Sequence, residues 1–193
     1  MPLRKEKKYQ YSDFDVLLEM IQKQQAEIDQ LKKQVKQLKT ADRFGLSAIT
    51  DVHAYLHALK DAAEDLIVVI SVKDTPGLSF SEEAAKEFNA LGIATNLTGQ
   101  HWKSYAAVIN GGTAVLDVLS EQKLIKSLEI DDRKISVVSA GFKTGNVSSI
   151  KVDDVEYSLN HRGFNFVVID KARGQVVDTV CFDLHLKEYT CDR

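Results

Sequence analysis

From Phe14 onward, apolar residues recur at alternating steps of three and four, at Leu17, Ile21, Ile28, Leu31, Val35 and Leu38, with Gln24 holding the one polar place in the series. This spacing predicts a helix with one narrow apolar seam. Nearly every other position from Gln22 to Lys39 is polar or charged, so no second face is left to pack on a domain of its own. The expected structure is a coiled-coil stalk over residues 14–40. Phe14, Ile21, Ile28 and Val35 then take the first core position, and Leu17, Gln24, Leu31 and Leu38 the second. β-Branched residues at the first and leucine at the second favour a parallel dimer, with a trimer still open. In that register Glu27 faces Lys32 of a parallel neighbour, and Gln24 fixes register at some cost in stability. The rod is about 37 Å long at 1.5 Å per residue, short enough to need support from the adjoining domain.

Ahead of the stalk, residues 1–13 carry Arg4, Lys5, Lys7 and Lys8, a basic segment suited to anchoring on a partner protein. The net charge of −3 over 193 residues gives no general attraction to nucleic acid, which is not expected as a partner. No apolar stretch reaches the roughly 20 residues of a membrane span, and no secretory signal opens the chain. Synthesis in the cytoplasm is the expectation. Cys181 and Cys191 are too few to form a disulfide framework.

Residues 46–193 read as one α+β domain. Ser47 or Thr50 is placed to cap a helix running to about Ala63, with Ile49, Val52, Leu56 and Leu59 on its apolar face. Leu66 to Val72 is an almost unbroken β-branched run, the mark of a central strand buried on both faces. A second helix opens at Ser79 or Ser81, carries Ala84, Ala85, Phe88 and Leu91, and stops at Gly92. Strands are then expected at Tyr105–Ile109, Ile135–Val138, Ser148–Val152, Phe164–Ile169 and Val176–Phe182.

Four segments carry a resemblance: Ile70-Ser-Val-Lys-Asp-Thr-Pro-Gly77, Tyr105-Ala-Ala-Val-Ile-Asn-Gly-Gly112, His161-Arg-Gly-Phe-Asn-Phe-Val-Val-Ile-Asp170 and Gly174-Gln-Val-Val-Asp-Thr-Val-Cys-Phe-Asp183. Together they resemble the interleukin-like epithelial-mesenchymal-transition (EMT) inducer domain. That domain also occurs in the stem of protein O-mannose N-acetylglucosaminyltransferase and in hyaluronan-binding cell-migration proteins. The halves stand in reversed order here, so the resemblance is to a circular permutant, which can close the same fold if the original termini lay close together. Pairing of halves between protomers, or a fragment of a tandem array, are the alternatives.

The resemblance implies a β-sandwich with flanking helices, no catalytic apparatus and no cofactor, and, from its stem-domain members, carbohydrate binding. By the same resemblance Asp74 matches the strand-end acid that would accept bonds from sugar hydroxyls. Lys103, within a loosely matching His101–Tyr105 stretch, would be the basic donor. Trp102 has two readings, a ring that stacks on a pyranose or a core anchor.

Other constellations imply less. Cys181, His185, Cys191 and His161 do not have the spacing of a common zinc module, and no metal is expected. Asp131-Asp132 and Asp153-Asp154 read as solvated turns rather than calcium ligands. Asp183 and His185 share a strand face but have no nucleophile beside them. Arg162 and Asp170 read as structural, and Gly111-Gly112 as a turn. The expected function is therefore a non-enzymatic oligomer that binds a cell-surface glycan, as in a virion fibre or surface adhesin. The alternative is a cytoplasmic or fibre component whose domain caps and registers the coiled coil.

Overall fold

The structure, a computed structural model, describes residues 10–77, 80–185 and 189–193, with side chains in the first helix over 15–30. Arg4, Lys5, Lys7 and Lys8 lie outside the described residues, as do the side chains of Phe14, Leu31, Val35 and Leu38. The chain divides into two units, Met1–Thr40 and Ala41–Arg193.

The first unit holds α1, Gln10–Ala41, one helix that begins four residues before the expected stalk and runs through Gln24 without a break. Leu17 and Ile21 of the seam are each 56% exposed, and Ile28 is 44% exposed. Val16, Leu18 and Met20 are exposed as well, so the apolar surface is broader at residues 16–21 than a two-position seam. On the polar side Gln25 Nε2 donates to Asp29 Oδ1 at 3.1 Å, a four-residue spacing that supports the helix.

The second unit enters through two 3-10 turns, Asp42–Phe44 and Leu46–Ala48, separated by Gly45 at φ +66°. Helix α2, Val52–Asp61, is capped by Asp51, whose carboxylate accepts from Ala54 N at 2.8 Å. The cap is neither Ser47 nor Thr50, because Asp51 is the extended residue directly before the first turn. The buried face is Val52, Tyr55, Leu56 and Leu59. Helix α3, Glu82–Ala90, is capped by Ser81, with Glu82 and Glu83 in its first turn where the helix dipole favours negative charge. It buries Ala84 and Phe88 and ends before Gly92, at φ +93°.

Among the described residues, ten strands form one mixed, curled sheet. The central strand β1, Leu66–Asp74, pairs antiparallel along one edge with β8, Gly163–Asp170. Its other edge is shared between two partners. Ile67–Ser71 pair with β2, Ser104–Asn110, and Lys73 and Asp74 pair in parallel with Ala140 and Gly141 of β5, Arg133–Gly141. The sheet therefore splits into two limbs along β1. One limb adds β3, Thr113–Ser120, outside β2, and β9, Gln175–Asp183, with β10, Thr190–Asp192, outside β8. The other is β4, Leu124–Ile130, with β5, then β6, Val147–Val152, and β7, Val155–Glu156.

The two-residue period of β1 explains both cores. Leu66, Val68, Ile70 and Val72 join Leu56, Leu59 and Phe88 on the helix side. Ile67 and Val69 face the other way and join Ile135, Val137, Ile150 and Val152 of the second limb. A strand covered on both faces must be apolar throughout, which is why its sequence does not alternate. Where β1 changes partner, buried serines supply bonds that the ladder cannot. Ser71 Oγ donates to Val138 O at 2.7 Å, and Ser139 Oγ donates to Val72 O at 2.6 Å while accepting from Tyr105 N. Ser104 Oγ accepts from Gly141 N at 3.0 Å.

Candidate functional site

The split in the sheet also builds a cluster of exposed aromatic rings. Gly141, the last residue of β5, pairs with Asp74 and touches the backbone of Trp102; a Cβ added to Gly141 would lie 1.8 Å from Trp102 O. Only glycine permits that approach. The 99–103 loop is tied down a second time by Thr75, whose Oγ1 accepts from Trp102 N at 3.2 Å and donates to Gln100 O at 3.4 Å. Asp74 and Trp102 both have left-handed backbones, at φ +75° and +56°. For a non-glycine residue this costs about 1–2 kcal/mol, and for a side chain as bulky as tryptophan it is rare.

The indole at this position faces outward. Trp102 is 46% exposed and is not a core anchor. Beside it stands Phe142, 54% exposed, with ring centroids 6.2 Å apart and planes inclined at 38°. Phe142 opens a 3-10 turn, Phe142–Thr144, closed by Asn146 N donating to Gly141 O at 3.1 Å. Lys143 in the same turn places Nζ 4.3 Å from the centroid of the Trp102 ring, a cation–π contact. Lys103 points its ammonium at Glu121, 3.5 Å away.

The structure thus brings Asp74, Trp102 and Lys103 to one end of β1 and adds Thr75, Gly141, Phe142 and Lys143. These four were missed by sequence reasoning. The signal available was the Gly141-Phe-Lys-Thr-Gly145 run, an aromatic and a lysine bracketed by glycines directly after a strand. Chemically the arrangement is a pair of exposed rings, with the Lys143 ammonium over the Trp102 face and Asp74 and Lys103 close by along the backbone. It suits a ligand with an apolar face and hydroxyls at its edge.

The remaining constellations have structural partners. Asp131-Asp132, Asp153-Asp154 and Gly111-Gly112 each have positive φ at both residues and form two-residue hairpin turns. Asp153 accepts from Arg133 Nη1 at 2.6 Å and from Lys134 N, and these bonds hold its carboxyl below the usual carboxylate range. Asp183 accepts from Arg162 at 2.7 Å and from His185 N at 2.9 Å. Asp170 is fully buried against Arg43 Nη1 at 2.7 Å. Cys181 donates to Arg162 O, and burial pushes its thiol well above the ordinary range. Among the described residues, Cys181, His185, Cys191 and His161 do not form a metal-binding group.

Among the described residues no helix is long and apolar enough to cross a membrane. Comparison with known proteins finds no match to this chain, whether among protein-family models, curated proteins or solved structures.

Proposed function

We propose that this chain is a non-enzymatic, homo-oligomeric carbohydrate-binding module, as in a virion fibre or surface adhesin, with its binding platform at Trp102 and Phe142. The observation that carries this reading is the exposed indole of Trp102, held by a strained and doubly anchored loop. Backbone strain held in place by its surroundings clusters at ligand sites, and here it carries two neighbouring exposed rings, which supports a ligand. A pyranose offers the complement, with axial hydrogens for the rings and hydroxyls for Asp74, Lys103 and Lys143. The four-segment resemblance to the interleukin-like EMT inducer domain supports the same ligand class, with this domain as a permuted relative.

The exposed seam of α1 supports the oligomer. Leu17, Gln24 and Ile28 fall on the heptad positions with Phe14, Ile21, Leu31, Val35 and Leu38. Clustering raises avidity, because a weak site rebinds at high effective concentration when its neighbours are held.

Glycan-array binding by the intact chain tests the reading. Since Trp102 is the only tryptophan, its fluorescence reports the same event, with a blue shift as a sugar covers the ring. Trp102→Ala is expected to weaken binding about tenfold per site, the value of one stacked ring. Asp74→Asn keeps a residue that tolerates the left-handed backbone and removes the charge, so reduced binding there isolates the carboxylate. No binding across a broad array favours the alternative, a fibre component whose domain caps the coiled coil. Glycan hydrolysis that is lost in Asp183→Asn would instead make the chain an enzyme.

A further inference from the structure

On the helical side of the domain, α2 and α3 present two pairs of metal-ligating residues at four-residue spacing, His53 with His57 and Glu83 with Glu87. On a helix that spacing puts both members of a pair on one face. His53 Nδ1 already lies 2.8 Å from Glu87 Oε2, and one donor atom from each of His53, Glu83 and Glu87 falls within 4.8 Å of the others. His57 and Glu87 line one groove between the helices. We propose that His53, Glu83 and Glu87 form a site for a divalent transition ion of the zinc class.

The ligand chemistry fits that class. Imidazole nitrogen and carboxylate oxygen are zinc ligands at about 2.0–2.2 Å, so donors already within 4.8 Å need only side-chain rotation to close on an ion. Two carboxylates with one neutral imidazole balance a double positive charge. The frame is rigid, since each ligand position adjoins a buried anchor: Val52 precedes His53, Ala84 follows Glu83 and Phe88 follows Glu87. The His53 and Glu87 side chains are only 28% and 20% exposed, which limits competition from water. Lys60 and Lys86 also border the groove, and their ammonium groups must turn to solvent when a cation enters.

This site is independent of the Trp102 platform. The test is titration of the intact chain with Co2+, followed by its visible d–d absorption, and with Zn2+ by calorimetry. One ion per chain is expected, with a rise in unfolding temperature because the ion ties α2 to α3. His53→Gln and Glu87→Gln replace partly exposed side chains with near-isosteres, so the fold is retained, as far-UV circular dichroism checks. Each is expected to weaken Zn2+ binding at least tenfold and to abolish the thermal shift. Absence of saturable binding overturns the proposal, leaving His53–Glu87 an interhelical hydrogen bond. Equal binding by wild type and both variants also overturns it, placing the ion elsewhere.

Discussion

Arg193, directly after β10, contacts three separate parts of the second unit. Its guanidinium donates to the carbonyls of Leu46 and Ile49, both at 2.7 Å, and to Asp178. It also lies over the Tyr55 ring at 5.8 Å, and Tyr55 OH donates to Asp178 Oδ2 at 2.7 Å. One residue thus joins the entry turn, α2 and β9. Asp178 is only 7% exposed, and removing the arginine leaves that carboxylate with one neutral donor. Breaking such a buried pair costs about 3 kcal/mol or more, because the remaining charge stays desolvated. Arg193→Ala is therefore expected to lower stability by about 3 kcal/mol, read from urea unfolding at fixed chain concentration. A change under about 1 kcal/mol would show that the pair contributes no more than a surface ion pair. None of this was legible in the sequence, since Arg193 and Leu46 are far apart along the chain and only the fold brings them together.

At the scale of elements, the strongly patterned segments could be read directly. Leu66–Val72, Phe164–Ile169 and Val176–Phe182 are apolar because they lie in or beside the doubly covered centre of the sheet, and each is a strand. β3 and β4 escaped for the opposite reason. β3 is an edge strand with almost every residue half-buried, and β4 is mostly exposed with apolar residues at Leu124, Ile125, Leu128 and Ile130, which match neither period. Trp102 was ambiguous because aromaticity alone does not say which way a ring points; its exposure in the folded domain settles that. The α1 seam was legible as a pattern, and its partner is a proposal with its own test. An Ile21 side chain buried in a coiled coil contributes about 2 kcal/mol per strand, and a lysine there adds the cost of placing a charge in the seam. Ile21→Lys is expected to convert the oligomer to monomer at micromolar concentration by light scattering. A monomeric wild-type chain, or an unchanged mass in the variant, would remove the coiled coil from the account.

For the whole molecule, buried titratable groups set an alkaline limit on stability. Burial, first of all, raises the phenols of Tyr55 and Tyr105, and a carboxylate that each hydroxyl faces, Asp178 and Asp117 respectively, adds to the effect. Tyr105 OH donates to Asp117 Oδ1 at 3.0 Å, while Asp117 Oδ2 accepts from Ala94 N and Thr95 N, so this phenol backs the carboxylate that holds the loop after α3 to the sheet. Burial also raises the Cys181 thiol. In each case the folded state keeps a proton that the unfolded chain releases. Their contribution is therefore complete below the unfolded values, near pH 8.5 for the thiol and 10 for the phenols, and is lost as pH rises toward the folded ones. Above the unfolded value each group lowers stability by about 1.4 kcal/mol per pH unit. The urea midpoint of the intact chain, at fixed concentration, is expected to decline from about pH 8.5 and to steepen above about pH 10. Tyr55→Phe leaves Asp178 paired with Arg193 and removes one titration, so its decline above about pH 10 should be shallower by one tyrosine's share. A midpoint that stays level from about pH 9 to 11 would mean these groups ionise within the folded molecule, and that the layers they join open locally before the domain unfolds.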